Sequence, residues 1–471
     1  MTQQTQDVSV SDAVLLQKKY MDQIHTYLLE ARLQPKALVV TFGCQQNEND
    51  SERIRGMLCA AGYSLCSDPQ EADLIIYNTC AVRDNAEQKV YGKLGALKHL
   101  KRKKPSLLIG VCGCMMQQQA VAELVRRRFR HVDFIFGTHT LFELPQLLYE
   151  ALNGQQRRVH IRDIDGIITE GVPILRESGA CAYVSVMYGC NNFCSYCIVP
   201  YVRGRERSRK KDDILDEIRQ VAAQGYREIM LLGQNVNSYG RDIAGGCDFA
   251  DLLLAAAEVE GIERIRFMTS HPKDLSERLM QVIASCDKVC RQLHLPVQAG
   301  SNSVLRDMNR GYTREQYLEK IKRMRELVPD IALTTDIIVG FPTETDADFL
   351  QTVSLLEQVR YDQIFSFIYS KRTGTPAAKM EPALTEAQIH KNFDTLLKVQ
   401  NDISAQISQS YVGKVYKVLI EGKSKTDAEM ISGRTESGKI VHMRGSDELC
   451  GELVDVYITS AKTWFLTGEI R

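Results

Sequence analysis

The sequence lacks any run of 18 consecutive apolar residues, which is the shortest length expected of a membrane-spanning helix. It also lacks the basic and then apolar segments of a secretory signal, because its first residues, MTQQTQDVSVSDAV, are polar. Neither sign of charge is in excess, since 59 lysines and arginines balance 59 aspartates and glutamates. This balance excludes a uniformly basic nucleic-acid coat, although local basic patches remain possible. We therefore expect a cytoplasmic globular protein.

Disulfide bonds are not expected to hold the chain together. Its 14 cysteines among 471 residues are too few and too scattered for a disulfide scaffold. A chain of this length, which corresponds to about three domains, can bury enough apolar surface without cross-links. In a reducing cytosol, clustered cysteines are expected to be metal ligands or catalytic groups.

Residues 36–150 are predicted to form an α/β domain. Its apolar strand segments ALVVTFG, ADLIIYNT, SLLIGVCG and VDFIFG alternate with helical stretches. Strands that are apolar throughout indicate a parallel sheet covered on both faces. Residues 1–35 are predicted to be an N-terminal extension, and residues 151–178 a polar linker.

A second alternating series predicts an open, partial (βα)6 barrel over residues 179–410. Six strand segments are too few for a complete eight-stranded barrel. Residues 411–471 contain about five short β-rich segments with charged and glycine turns, which predicts a small all-β barrel. The expected fold class is therefore α/β, with a parallel-sheet domain, a partial barrel and a small C-terminal β-barrel.

Cys190, Cys194 and Cys197 lie within eight residues, directly after the first strand of the second series. A structural zinc site almost always has four protein ligands, which three thiolates cannot supply. Three thiolates can hold a cubic iron–sulfur cluster and leave one iron open to a substrate or cofactor. A zinc knuckle with a distant fourth ligand, or three unrelated thiols, remain as alternatives.

Three more cysteines, Cys44, Cys80 and Cys114, each follow a predicted strand of the first domain. Ligands of open α/β sheets bind at the carboxyl ends of the strands, so these thiols should converge and suggest a second cluster. The alternative is that they pack as small apolar side chains. Cys112 would share a strand face with Cys114 by simple alternation, and we interpret it as a core thiol.

The CxxxCxxC motif after the first strand of a partial barrel resembles the radical S-adenosylmethionine (SAM) superfamily. This resemblance implies that the open iron chelates SAM and that Tyr196 lies against its adenine. The segments FGCQQNENDSE, YNTCAVRDNAEQKVYG and GVCGCMMQQ resemble the N-terminal domain of the methylthiotransferases within that superfamily. The likeness spans roughly residues 37–471, and it implies that Cys44, Cys80 and Cys114 hold an auxiliary [4Fe–4S] cluster.

Polar residues stand at the ends of several predicted barrel strands, where apolar ones would suffice for packing. The resemblance implies SAM contacts near IVGFP and at Gln234, Gln298 and Arg310, and the position of Asn235 adds it as a cofactor-binding candidate. The alternative is that these groups cap strand ends and helix starts. Ser270, His271 and Asp336 occupy similar positions, although His271 is interpreted as structural and His294 as a core residue.

Basic clusters at residues 98–104, 126–130 and 203–211 could form a surface for phosphates, although each could equally be a solvated helix face. The C-terminal barrel resembles the TRAM domain, which implies RNA binding. Its alternative role is to pack against the rest of the enzyme.

The resemblance implies transfer of a methylthio group to carbon 2 of N6-dimethylallyladenosine, next to the anticodon of tRNA. The segment with Arg83 and Lys89 favours this substrate over threonylcarbamoyladenosine in tRNA or an aspartate of a ribosomal protein. An unactivated C–H bond offers no role to a side-chain acid or base, so no catalytic side chain is predicted. The third alternative is a non-catalytic RNA-binding iron–sulfur protein.

The same resemblance implies two [4Fe–4S] clusters and SAM as cofactors. The implied partners are the tRNA anticodon stem-loop, an electron donor such as flavodoxin or ferredoxin, and a sulfur or cluster source. We expect a monomer and no contact with a membrane.

Overall fold

The structure is a computed structural model that describes residues 10–81, 84–154, 158–162, 167–176, 179–424, 427 and 429–471. Parts of the predicted N-terminal extension and linker, and Arg83, lie outside these residues. Contacts divide the chain into two compact units. The first unit is Met1–Glu177 with Tyr188–Asn191 and Ile198–Arg207, and the second is Ser178–Met187, Asn192–Cys197 and Ser208–Arg471.

The first unit is built on a six-stranded parallel sheet. Its strands are β1 Lys36–Phe42, β2 Ser64–Leu65, β3 Leu74–Thr79, β4 Leu108–Gly113, β5 Phe134–Phe136 and β6 Arg158–His160. They lie in the order β2-β1-β3-β4-β5-β6. Its helices are α1 Val10–Glu30, α2 Gln45–Ala60, α3 Asp84–Lys103, α4 Gln119–Arg128, α5 Leu144–Leu152 and α6 Val199–Arg203. The predicted parallel α/β domain is confirmed.

Helices cover both faces of this sheet. Ile76 packs in one core with side chains of α1, α2 and α5, and its neighbour Ile75 packs in another with side chains of α3 and α4. Successive residues of a strand point to opposite faces, so both must be apolar when both faces are covered. This arrangement explains why the strand segments are apolar throughout.

The second unit contains six parallel barrel strands and a closed antiparallel-rich barrel. Its strands are β7 Cys181–Ser185, β8 Met187–Tyr188, β9 Arg207–Ser208, β10 Glu228–Leu232, β11 Arg264–Phe267, β12 Gln292–His294, β13 Ala332–Val339, β14 Gln363–Ile368, β15 Val415–Lys423, β16 Met430–Thr435, β17 Ile440–Arg444, β18 Leu453–Ala461 and β19 Phe465–Ile470, where β8 and β9 each straddle the border with the first unit. Its helices are α7 Lys211–Ala223, α8 Phe249–Ala257, α9 Glu277–Ser285, α10 Asn302–Asp307, α11 Arg314–Leu327, α12 Asp346–Val359 and α13 Glu386–Gln409.

The barrel strands form two parallel ladders, β7-β10-β11 and β12-β13-β14. A single parallel bridge between Ile265 and Val289 connects β11 to the segment before β12. The predicted open, partial barrel of six strands is thus confirmed. Strands β15 to β19 close in the order β15-β16-β17-β19-β18, which confirms the small C-terminal barrel. The predicted domain boundaries stay predictions.

A buried arginine joins the two barrels of the second unit. The Nη2 and Nη1 groups of Arg266 donate to the carbonyls of Thr435 and Glu436, each at 2.7 Å. Its Nε donates at 2.8 Å to the carboxylate of Glu228, and both side chains of this pair are 3% exposed. The small barrel is therefore attached through backbone carbonyls that accept hydrogen bonds from a buried cation.

No helix in the described part of the chain is long and apolar enough to cross a membrane.

Replacing Arg266 should weaken the attachment of the small barrel, to which Arg264 also donates through the carbonyls of Lys417 and Arg434. We expect Arg266→Met to lower the free energy of unfolding by about 3–5 kcal/mol, because it removes the hydrogen-bonded partner of the buried Glu228 carboxylate and leaves it only Arg264 Nη1, 3.8 Å away. Urea unfolding followed by circular dichroism would measure the loss. Arg306→Met, at a side chain that is 77% exposed, is the matched control and should change stability by less than about 0.5 kcal/mol. Equal stabilities of the two variants would contradict the assignment.

Candidate metal and cofactor sites

The three cysteines of the first unit follow three adjacent strands. In β1, β3 and β4 the last residues are paired, Phe42 with Thr79 and Thr79 with Gly113. Cys80 and Cys114 come directly after β3 and β4, and Cys44 follows the end of β1 by two residues. The thiols therefore leave the same edge of the sheet, at the carboxyl ends where open sheets bind ligands.

Two buried amides fix the loops that carry Cys44 and Cys80. The Nδ2 of Asn47, on α2, donates to Asn78 Oδ1 at 3.1 Å and to the Thr79 carbonyl at 3.2 Å. Asn78 Nδ2 returns a hydrogen bond to the Asn47 carbonyl at 2.8 Å. Because both amides are fully buried, these bonds hold the start of α2 firmly against the end of β3.

A glycine turn separates Cys114 from Cys112. Gly113 has a φ of +96°, and a Cβ there would stand 2.4 Å from the Thr79 carbonyl oxygen. Cys112 is fully buried in the core beneath α1, α2 and α5, whereas Cys114 packs with Ala81, Ile198 and Val202 in a separate small cluster. The expectation that both thiols share one strand face fails, because the turn ends the alternation at Gly113.

Arg203 reaches the sulfur of Cys114. Its Nε donates to Cys114 Sγ at 3.2 Å, and its Nη2 donates to Asp50 Oδ2 at 2.7 Å. Burial raises the pKa of the Cys114 thiol to about 12; Arg203 opposes this rise, and the neighbouring Cys80 and Cys44 thiols add to it. The three thiols are therefore close enough to interact electrostatically. Sequence reasoning treated Arg203 only as part of a basic cluster and did not identify Asp50.

The donor set fits a cluster better than a single ion. No group of three histidine, cysteine, aspartate or glutamate side chains within the described ranges is arranged to hold one metal ion. In a cubic iron–sulfur cluster each thiolate binds a different iron, so the thiols need not converge on one point. Cys80 and Cys114 are 2% and 4% exposed, and Cys44 is exposed, which leaves one side of the triad open to solvent.

The CxxxCxxC motif contributes to both units. In the first unit, the Cys190 amide donates to the Gly204 carbonyl at 3.1 Å. In the second unit, the Cys197 amide donates to the Cys194 carbonyl at 2.9 Å. The Ser195 amide there donates to the Met308 carbonyl at 3.0 Å, so the segment is tied to the loop that follows α10.

Arg310 brings two predicted site residues together in the second unit. Its Nη1 donates to Cys194 Sγ at 3.2 Å and to the Tyr196 hydroxyl at 3.4 Å. Its Nη2 donates to the Pro296 carbonyl at 2.6 Å, and its Nε to the Tyr312 hydroxyl at 3.1 Å. The guanidinium, 4% exposed, is thus held by neutral acceptors and presents its charge to a thiol sulfur.

Three buried polar atoms at strand ends of the second unit have no hydrogen-bond partner, namely Asn235 Oδ1, Ser270 Oγ and His271 Nε2. Asn235 is held by its Nδ2, which donates to Asp274 Oδ2 at 2.8 Å. His271 Nδ1 accepts from the Lys273 amide, and burial together with Arg310 and Lys273 lowers the pKa of His271 to about 2. The ring is therefore neutral and carries its hydrogen on Nε2. Buried polar atoms without partners point to a polar ligand.

The remaining predicted SAM contacts, Gln234 and Gln298, follow strands β10 and β12. Gln298 has a φ of +73°, an unusual conformation for a residue other than glycine, and its backbone bridges Asp336 and Ile338 of β13. Gln234 is half-buried after β10. His294 is buried, with Nδ1 3.0 Å from Thr334 Oγ1. Strained backbone of this kind concentrates at functional sites.

Comparison with known proteins matches three family models along the chain. Residues 36–137 match the "Uncharacterized protein family UPF0004", residues 184–356 the "Radical SAM superfamily", and residues 409–470 the "TRAM domain".

Curated relatives align with nearly the whole chain. A tRNA-2-methylthio-N(6)-dimethylallyladenosine synthase of Acetivibrio thermocellus is 54% identical over 458 residues, which cover 96% of this chain and 95% of the relative. The chain belongs to this synthase family. A synthase of the same name from Clostridioides difficile is 51% identical and covers 96% of both chains. The resemblance inferred from the cysteine motifs is therefore confirmed.

Solved structures share the fold of this family at low identity. The radical SAM methyltransferase TsrM of Kitasatospora setae, with tryptophan and a SAM analogue, has a TM-score of 0.54 at 15% identity. The alignment covers 73% of this chain and 75% of that one. Membership in the synthase family makes this chain a transferase that acts on tRNA, and the radical SAM domain implies one [4Fe–4S] cluster and SAM. The individual site residues stay predictions.

The turn at Gly113 should be essential to the N-terminal site. We expect Gly113→Ala to lower the free energy of unfolding by about 1–3 kcal/mol from backbone strain and to reduce the iron retained after anaerobic reconstitution. Gly92→Ala is the matched control, because Gly92 lies exposed in α3 with no atom within 4 Å of an added Cβ. That change should stabilise the helix by about 1 kcal/mol and leave iron content unchanged. Wild-type iron in both variants would contradict the role of the turn.

Proposed function

We propose that this protein adds a methylthio group to carbon 2 of N6-dimethylallyladenosine, next to the anticodon of tRNA. The identity of 54% to a synthase of that name, over 96% of the chain, carries this conclusion. Methylthiolation of threonylcarbamoyladenosine or of a ribosomal-protein aspartate is not favoured, because the relatives from several organisms carry the dimethylallyladenosine name.

The proposal includes two iron–sulfur clusters with different roles. Cys190, Cys194 and Cys197 hold the cluster that binds SAM, and a second triad, Cys44, Cys80 and Cys114, holds an auxiliary cluster. The common sheet edge of the second triad and its buried cationic neighbour support that assignment. When bound, the clusters and SAM supply the radical and sulfur chemistry that an unactivated carbon–hydrogen bond requires.

In this proposal the side chains of the protein bind SAM and the target base and orient them for the reaction. Arg310 keeps Cys194 and Tyr196 in fixed positions through its guanidinium. The unpartnered Asn235 Oδ1, Ser270 Oγ and His271 Nε2 offer one acceptor, one hydroxyl and one donor to polar atoms of SAM or of the target base. Because His271 stays neutral, it donates without adding a charge to the site. Fixed groups of this kind lower the entropy cost of bringing reactants together.

RNA recognition falls to the C-terminal barrel in this proposal. Trp464, at the turn between β18 and β19, is 49% exposed, and exposed aromatic rings are suitable platforms for unpaired bases. Bases in tRNA loops leave their stacks at low cost, which suits a reaction on a flipped base. A flavodoxin- or ferredoxin-like electron donor, a sulfur or cluster source and a monomeric state complete the proposal.

The substrate assignment is tested with purified, reconstituted protein, SAM and dithionite. We supply tRNA that carries dimethylallyladenosine, tRNA that carries threonylcarbamoyladenosine, and the ribosomal protein in parallel, and identify products by mass spectrometry. We expect the methylthio product with the first substrate alone. Product with either other substrate, or no 5′-deoxyadenosine from SAM under any condition, would overturn the assignment.

The two cysteine triads are separated by substitution. Alanine at Cys190, Cys194 and Cys197 should abolish SAM cleavage, whereas alanine at Cys44, Cys80 and Cys114 should spare cleavage and abolish methylthio transfer. Iron content should fall by about half in each triple variant, because each triad holds one cubane. Cys112→Ala is the control and should retain full iron, since that thiol is enclosed in the apolar core. Unchanged iron in the second triple variant would refute the auxiliary site.

A further inference from the structure

Arg203 is a buried charge whose placement the binding of SAM does not explain. Its side chain is 7% exposed, and the side chain of its ion-pair partner, Asp50, is 8% exposed. Burying a guanidinium costs free energy unless its charge is paired with an anion and its N–H groups find hydrogen-bond acceptors. Asp50 accepts from Nη2, and Nε is directed at the sulfur of Cys114.

The neighbourhood of this pair is built to keep the arginine in place. Arg203 is the last residue of α6. Val202, within that helix, and Ile198, just before it, pack with Ala81 and Cys114 in one buried cluster. The Val202 carbonyl also accepts from Thr138 Oγ1 at 2.5 Å. The cluster with Cys114 and the hydrogen bond from Thr138 both hold the end of the helix, which restricts the movement of the Arg203 guanidinium.

We propose that Arg203 is a positioning residue that sets the reduction potential of the auxiliary cluster, by donating a charge-assisted hydrogen bond to the Cys114 thiolate. The inference rests on the proposed second cluster. Asp50 opposes the effect of Arg203 on the potential, because the Asp50 carboxylate neutralises part of the guanidinium charge. Neither residue binds iron in this arrangement.

The sign of the effect follows from electrostatics. Reduction adds one negative charge to a cluster, and a cationic donor on a ligand sulfur stabilises that charge. Hydrogen bonds to sulfur and net charge are among the main determinants of iron–sulfur potentials. Arg203 should therefore raise the potential of the cluster, and the Asp50 carboxylate should lower it.

The test uses the full chain in the Cys190, Cys194 and Cys197 triple-alanine background, so that only the auxiliary cluster remains. An anaerobic dithionite titration followed by electron paramagnetic resonance measures its midpoint potential. We expect Arg203→Met to shift the one-electron reduction equilibrium at least tenfold toward the oxidised form, which is about 59 mV. Arg203→Lys should shift it less, and Asp50→Asn should shift it toward the reduced form.

Opposite signs distinguish tuning from a merely structural role, because structural damage would move both variants in the same direction or remove iron from both. Arg306→Met, at an exposed side chain, is the matched control and should leave the potential unchanged. An unchanged potential in Arg203→Met with full iron, or shifts of the same sign in both variants, would overturn the inference. Absence of any cluster in the background protein would overturn the proposed auxiliary site itself, and with it this inference.

Discussion

The parallel pairing of β1, β3 and β4 is the constraint on which the N-terminal site depends. Adjacent parallel strands with paired ends release their loops at one edge, so residues far apart in the chain emerge side by side. The buried amides of Asn47 and Asn78 then tie two of these loops together. The thiols are thus positioned by backbone pairing first and by side-chain hydrogen bonds second.

Each unit places a buried arginine against a ligand-candidate sulfur. In the first, Arg203 donates to Cys114 and is balanced by a carboxylate. In the second, Arg310 donates to Cys194 and is surrounded by hydroxyl and carbonyl oxygens. Buried cations need anionic neighbours, and thiolates with their cluster can be those neighbours. The two environments differ in net charge, because Arg203 is paired with the Asp50 carboxylate whereas the oxygen acceptors of Arg310 are neutral.

The second unit concentrates unsatisfied polar atoms where a partial barrel is expected to bind ligands. Asn235, Ser270 and His271 all follow strands β10 and β11 at their carboxyl ends. Arg266, in contrast, is a buried residue of β11 whose guanidinium donates from all three nitrogens, to Glu228 and to carbonyls of the small barrel.

The α/β series, the partial barrel and the small β-barrel could be predicted from the sequence, and so could the strand-end positions of the six cysteines, because apolar periodicity and short-range spacing are local properties. Tertiary structure alone decided that Arg203 and Arg310 contact sulfur, since each arginine reaches a cysteine about a hundred residues away in the chain. The sequence predicts that Cys112 is a core thiol, but the structure shows how Cys114, two residues later, leaves that core for a separate cluster. That separation depends on the positive φ of Gly113, which strand alternation does not encode.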